Sequence, residues 1–281
     1  MSEKRKQTWT SPLEAKLSAA EASNKRAKGA INSIVKEYVC PIALELPVDP
    51  VTAEDGRVYN RSDIQQHIDQ SKRKKDDGSE EFEYRGLKSP MTKEPMGPNL
   101  LPAIQVRNSI RALIDSGAIE GDEGNIDQWK EVDQLRTDAE GGDPEAMEMM
   151  GNVYRDGTDG LIKDEIQAYK WTSKAAALDF APAIGSKGAC LLHGIGTKRN
   201  RVEGGTLLGI AAARGSAESQ FCLGVNYYNG RHGYPKNCGM AKYWLQKAVA
   251  QEGEHALHEN HSNTAKKLLR FIKEEEEGGN C

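Results

Sequence analysis

The sequence predicts a small α+β module followed by an all-α helical-repeat solenoid. Three observations carry that prediction. Between Tyr38 and Val51 an apolar run is broken by Pro41, Pro47 and Pro50, which forbid a continuous helix. From Gly151 onward the same residue types return every 36 or 37 positions. The length, 281 residues, fits about two domains at one per ~150 residues.

Ahead of the module, residues 1–34 carry seven Lys/Arg against three Glu. Poor in large apolar residues, they read as a mobile or partly helical basic segment. The clusters Lys4-Arg5-Lys6 and Lys25-Arg26-Ala27-Lys28 are either a nuclear address or solvated charge. After Val51, Glu54-Asp55-Gly56 signals a turn, and Arg57-Val58-Tyr59 a short strand. Asn60, with Asp63 three residues on, is placed to cap a helix whose apolar face holds Ile64, His67 and Ile68.

The charged stretch Ser71–Glu83 contains no aliphatic residue and reads as a surface insertion. A second long loop, Ser89 to Met96, leads to Leu100-Leu101-Pro102. The helix after it aligns Val106, Ile110, Leu113 and Ile114 on one face. So small a core needs a staple. Cys40 is the only cysteine in the module, so hydrogen bonds and salt bridges between its two long loops are expected to supply it.

Residues 116–138 carry seven acids against Lys130 and Arg136, and Glu120-Gly121-Asp122-Glu123-Gly124 reads as an exposed hinge isolating the two domains. Beyond it Gly151, Gly188 and Gly224 repeat, each followed six residues later by Gly157, Gly194 and Gly230. Trp171, Leu208 and Trp244 keep the same offsets, as do Lys174, Ala211 and Lys247. Each unit reads as helix, glycine turn, helix. The first glycine set lets paired helices approach, the second forms left-handed C-caps, and Pro144 and Pro182 stand in first helical turns. One such unit cannot bury its own face, so the units must stack. Thr264–Lys273 is expected to cap the array, ahead of a solvated acidic tail from Glu274.

Composition excludes several classes. No segment approaches the ~20 apolar residues of a membrane helix, and no large basic face marks a nucleic-acid binder. Five cysteines form no CxxC pair, which argues against a cysteine zinc site and a disulfide framework. A reducing compartment, cytoplasm or nucleus, is expected. His255, His258 and His261 have chelating spacing but read as a solvated helix face; Gly204-Gly205 lacks a P-loop context, and Cys281 is a terminal thiol. No metal or cofactor is expected.

The residues from Val35 to Ser116 resemble the U-box family of ubiquitin ligases. The resemblance rests on Cys40-Pro41-Ile42, Glu45-Leu46 and Asp49-Pro50-Val51; on Gly56-Arg57-Val58-Tyr59-Asn60-Arg61; and on Ser89-Pro90, Lys93, Pro95-Met96, Leu101-Pro102 and Arg107. Two departures stand out: a longer insertion before Pro90, and Ala103 where the family commonly has Asn. The resemblance implies a RING-like fold with polar networks in place of zinc. It also implies a ubiquitin-protein transferase that forms no thioester with ubiquitin. Such a domain holds a ubiquitin-charged conjugating enzyme in a reactive conformer, so Cys40 is expected to be a buried apolar residue and not a nucleophile. The implied docking residues are Ile42 and Leu44 on the first loop, His67 on the helix, and Pro90 and Lys93 on the second loop.

The array resembles Sel1-like repeats, relatives of the tetratricopeptide repeat, through Gly-x-x-Tyr, the glycine turn and Trp-x-x-Lys-Ala. The middle unit departs, with Leu191 for tyrosine and Leu208 for tryptophan. Such arrays bind other proteins. The domains expected are therefore a basic segment (1–34), a U-box (35–116), an acidic linker with a lead-in helix (117–138), about three repeats (139–260) and a capping helix with a tail (261–281). The implied function is a ubiquitin ligase that recruits a protein substrate through its repeats. The alternative is a non-catalytic scaffold using both parts for assembly.

Overall fold

The computed structural model describes residues 23, 25–27, 29–31, 33–75, 82–119, 125–253 and 256–277. The predicted basic clusters up to Lys6, the hinge at 120–124, His255 and Cys281 lie outside them. The chain divides into two compact units, Met1–Lys130 and Glu131–Cys281.

In the first unit a helix, α1, covers the described residues 33–38 and ends ahead of the first loop. A three-stranded antiparallel sheet follows, in the order β2-β1-β5, from β1 (Pro50–Ala53), β2 (Val58–Asn60) and β5 (Leu100–Pro102). In the central strand Val51 faces Tyr59 on one side and Pro102 on the other. The prolines are tolerated because Pro50 opens its strand and Pro102 closes an edge strand, where a missing N–H costs little. Helix α2 (Arg61–Gln70) and helix α3 (Ile104–Asp115) pack against β1. The core is Cys40, Val51, Ala53, Tyr59, Ile64, Ile68 and Leu87. Ile110 and Ile114 of α3 are buried, while Val106 and Leu113 flank them half-buried.

One local reading needs correction, and another gains detail. Asn60 does stand at the N-cap of α2, but its side chain does not cap the helix. Its Oδ1 accepts from Asp49 N–H (3.0 Å) and its Nδ2 donates to Ser62 (2.6 Å), so it serves the first loop. The stretch Ser71–Glu83, expected as a surface insertion, contributes to a largely exposed β-ribbon of β3 (Lys72–Lys74) and β4 (Phe82–Tyr84). Arg73 faces Glu83 across it, and Lys72 Nζ sits 4.5 Å over the Phe82 ring. Cross-strand charge and cation–π pairing, absent from a hydrophobic-pattern reading, favour the ribbon.

Helix α4 (Ile126–Gly141) comes next. Part of the stretch expected as a linker is packed on the first unit: Trp129 is buried and donates its indole N–H to Pro47 O (3.2 Å), and Asn125 Nδ2 donates to Leu46 O (3.0 Å).

The second unit pairs α5 (Pro144–Asp156) with α6 (Glu165–Ala177), α7 (Ala181–His193) with α8 (Arg201–Ala213), and α9 (Ala217–Asn229) with α10 (Cys238–Val249). Side chains of Asp143, Asp164, Asn200, Ser216 and Asn237 accept from first-turn amides and start five of these helices. Gly157, Gly194 and Gly230 close α5, α7 and α9 in the left-handed conformation, at φ 70°, 80° and 63°. In the middle pair the close approach is between backbones. A methyl group on Gly188 would meet Gly204 O at 2.8 Å and Leu208 N at 2.9 Å, so the unexplained Gly204 has a packing role. Leu191 and Leu208, the middle unit's departures, are both buried.

The Trp-x-x-Lys spacing also finds a cause. Lys174 Nζ lies 4.1 Å from the Trp171 ring, and Lys247 Nζ lies 5.6 Å from that of Trp244, one helical turn along. The capping helix α11 (Glu259–Glu277) is longer than the predicted Thr264–Lys273. Lys236 and Lys242 pair with Glu275 and Glu276 and draw part of the supposed tail into the helix. No described helix is long and apolar enough to cross a membrane.

Candidate docking site

Two loops of the first unit share one backbone design. In the first, Cys40 N–H donates to Glu45 O (2.8 Å) and Leu44 N–H to Cys40 O (2.8 Å). In the second, Ser89 N–H donates to Glu94 O (2.8 Å) and Lys93 N–H to Ser89 O (3.1 Å). The fifth residue of each is left-handed, Leu44 at φ 62° and Lys93 at φ 64°. A non-glycine residue held there costs about 1–3 kcal/mol and persists only where its surroundings over-determine it. Aligned on these bonds, Cys-Pro-Ile-Ala-Leu-Glu at 40–45 and Ser-Pro-Met-Thr-Lys-Glu at 89–94 share Pro at the second place and Glu at the sixth, with an apolar residue third in each. That internal match was available in the sequence and was the signal for a residue the sequence reading missed. Met91 is the counterpart of Ile42.

Each loop is pinned at its first residue and free at its crest. Cys40 is fully buried, and Ser89 is 1% exposed. Ile42, Met91 and Leu44 are 40%, 45% and 76% exposed. Pro90 is half-buried. Lys93 Nζ donates to Pro90 O (2.6 Å), bridging its own loop. His67 reaches Lys88 O through Nε2 (2.8 Å). A carbonyl only accepts, so Nε2 carries the proton, and the ring joins α2 to the second loop. Of the predicted docking residues, Ile42 and Leu44 share one crest, Pro90 and Lys93 share the other, and His67 abuts the second loop's base.

The staple differs in layout from the expectation. Among the described residues, each loop is tied to the hairpin and helix beneath it. Asp49 pairs with Arg61 Nε (2.7 Å), and the Cys40 thiol donates to Asp63 (3.3 Å). Asp55 accepts from Ser89 Oγ (2.6 Å) and the Tyr59 hydroxyl (2.7 Å) through Oδ2, and from Arg57 N–H (3.1 Å) through Oδ1. Burial pushes the Asp55 carboxyl up. The bonds from Ser89, Tyr59 and Arg57, with the Arg57 charge, outweigh it and hold the carboxyl below its ordinary range. Tyr59 is driven up by burial and by Asp55.

Glu54 completes the second loop's attachment by accepting from Gly97 N–H (2.7 Å) and from the Asn99 side chain (2.5 Å). Ala103 makes no side-chain cap for α3, and its N–H donates to Pro50 O (2.8 Å). Glu54 thus anchors this end of the loop from the hairpin side.

Among the described residues no group of three or more His, Cys, Asp or Glu is placed to hold a metal ion. Burial pushes the Cys40 thiol up, away from the thiolate a nucleophile needs. On α11, His261 Nδ1 lies 2.7 Å from Glu218 Oε2, and its ring stacks on Phe221 at 4.7 Å. That histidine serves helix packing.

Two pinned loops with apolar crests stand on a hairpin and a helix, and a U-box family model matches residues 34–117. The helical array behind it is built of Sel1 repeats, matched at 144–180, 185–216 and 217–252. A U-box domain is typical of ubiquitin ligases, and Sel1 repeats of protein–protein interaction. Among solved structures, a Sel1 repeat protein from Oxalobacter formigenes is 32% identical over 43% of this chain and 90% of its own, with a TM-score of 0.38. A protective antigen with an SLR fold, present in uropathogenic Escherichia coli strains, is 19% identical over 60% of this chain and 45% of its own, with a TM-score of 0.26. None of the curated proteins matches the chain.

Proposed function

We propose that the protein is a ubiquitin-protein ligase that docks a ubiquitin-charged conjugating enzyme on its two loop crests and recruits a protein substrate through its Sel1 repeats. The observation that carries the reading is the pairing of exposed apolar crests with buried, hydrogen-bonded bases. Ile42, Leu44 and Pro90 would give the partner apolar contact, and His67 would support the second loop's base. Lys93 would offer its remaining ammonium donors; as a point charge it gives a less directional bridge than a guanidinium fork.

The chemistry asked of this chain is positioning. A rigid platform selects the conformer of the charged enzyme in which a substrate lysine attacks the thioester, and no covalent step falls on the ligase. Cys40, buried and with its proton held, suits that division of labour. The deciding experiment is autoubiquitination of the folded protein with a panel of conjugating enzymes. Ubiquitin chains with at least one of them support the reading; none with any would leave a scaffold that uses the same surfaces for assembly.

A further inference from the structure

The second unit carries a basic cluster that the packing of the array does not require. The turns of the second and third repeats, 194–201 and 230–237, hold Lys198, Arg199, Arg201, Arg231 and Lys236 and no Asp or Glu. The corresponding turn of the first repeat, 157–164, holds Asp159 and Asp164 against Lys163. The repeat therefore tolerates either sign here. Two of these cations have structural work: Arg199 Nε donates to Leu192 O (2.8 Å), and Lys236 pairs with Glu275 (3.7 Å). Lys198, Arg201 and Arg231 are exposed and form no side-chain hydrogen bond or ion pair with a described residue.

A histidine pair draws the two turns together. His193, ending α7, and His232, in the turn after α9, meet edge to face with ring centroids 4.6 Å apart. His232 stands at φ 55°, and its Nδ1 is buried without a hydrogen-bond partner. Burial and then the surrounding His193, Arg199, Arg201 and Arg231 push its imidazole below the ordinary histidine range. Arg199, Arg201 and Arg231 thus gather positive charge around one exposed edge, where an anion is favoured.

We infer that this edge of the second and third repeats is a docking site for a carboxylate-rich peptide segment of a partner protein, held chiefly by Arg201 and Arg231. Guanidinium groups grip carboxylates with two parallel N–H···O bonds, and two arginines from successive turns suit acidic residues along one extended strand. Three exposed cations without an ion-pair partner among the described residues, Lys198, Arg201 and Arg231, suit a short acidic segment better than the long phosphate backbone of a nucleic acid. The inference deepens the recruitment reading. It rests on that reading only in assigning the peptide to a substrate, since binding is measured without any ubiquitin transfer.

The test uses the full chain and a fluorescein-labelled hexaglutamate peptide at low salt, followed by anisotropy. Arg201→Glu with Arg231→Glu should weaken binding about tenfold or more, a loss of about 1.4 kcal/mol or more. Lys266→Glu with Lys267→Glu, the same charge change on α11, should leave it within about twofold. The conservative pair Arg201→Lys and Arg231→Lys should bind at an intermediate level, which a folding defect would not produce. Equal loss in the α11 control would reduce the effect to overall charge and overturn the proposal. So would unchanged binding in the Arg201/Arg231 reversal, or tighter binding of an oligothymidylate or a phosphoserine peptide of equal charge.

Discussion

The Ser89 hydroxyl donates to the Asp55 carboxylate at 2.6 Å, fastening the second loop to the β1–β2 turn across 34 positions of sequence. The same hydroxyl oxygen accepts from Met91 N–H (3.1 Å) and Thr92 N–H (3.0 Å), so it shapes the loop it anchors. Ser89→Ala removes all three bonds and leaves buried polar groups short of partners. That should destabilise the first unit by about 1–3 kcal/mol. The loss should depend on pH. A carboxyl depressed in the folded state contributes stability above its ordinary value of 3.8, and loses it as pH falls through its folded value. Ser89→Ala weakens that depression, so wild type and variant should converge in urea midpoint as the solution is acidified. A constant gap would mean that the bond does not govern Asp55.

Ile42 and Met91 separate docking from folding. An aliphatic side chain left 40% or 45% exposed loses little burial on truncation. A core residue would lose ~2–5 kcal/mol. Ile42→Ala and Met91→Ala should each leave the melting temperature almost unmoved while weakening conjugating-enzyme binding by roughly tenfold. A collapse of the melting temperature would place the side chain in the core. Unchanged binding in both variants would move the docking surface elsewhere.

How far the sequence could be read differs between the two halves for a physical reason. In the array, the 36- and 37-residue offsets reflect steric demands that only glycine meets, at Gly188 against Gly204 and at the left-handed Gly194. Such demands leave a periodic trace. In the first unit, the helix around Ile64 and Ile68 was legible from spacing, but its fastening was not. Asp55–Ser89 and Glu54–Asn99 join residues 34 and 45 positions apart, and a polar pair over that distance has no local signature. Asn60 shows the same limit: its position announces a cap, while its side chain answers Asp49 N–H instead. The ribbon at Lys72–Lys74 escaped because its pairing is by charge and not by apolar alternation.

Chelation offers an independent check on the polar staple. Because Asp49–Arg61 and Asp55–Ser89 occupy the positions of fastening, excess EDTA should leave the melting temperature of the first unit unchanged. A fall of many degrees, with stoichiometric zinc in the purified protein, would overturn that account.

Trp129 tests the start of α4. Its ring is buried, and its indole N–H reaches Pro47 O at 3.2 Å, at the end of the first loop. Trp129→Ala should cost about 3–5 kcal/mol and, by loosening the chain beside Leu46 and Pro47, weaken conjugating-enzyme binding through the loop. Trp129→Phe keeps most of the packing and removes the donor, leaving Pro47 O short of a partner at a smaller cost of about 1 kcal/mol. If Trp129→Ala unfolds no more readily than wild type, this part of the chain is a tether and not part of the platform.

Glu148 should give the array an unusual response to pH. It lies buried on α5, its Oε1 accepts from Ser186 Oγ of α7 (2.6 Å), and its Oε2 is buried without a hydrogen-bond partner. Burial pushes its carboxyl up, and the Ser186 bond and the Arg155 charge only partly oppose this. A carboxyl raised in the folded state binds its proton more tightly there than in the unfolded chain. Stability is then greatest below the ordinary value of 4.5 and declines as pH rises through the folded value. Glu148→Gln is neutral at every pH and keeps an acceptor for Ser186. Its advantage over wild type should therefore grow as pH rises above 4.5 and through the folded value, in urea titrations of the full chain. If the two proteins instead run parallel across that range, the native array holds Glu148 no more tightly protonated than the unfolded chain does, and the buried oxygen has found water.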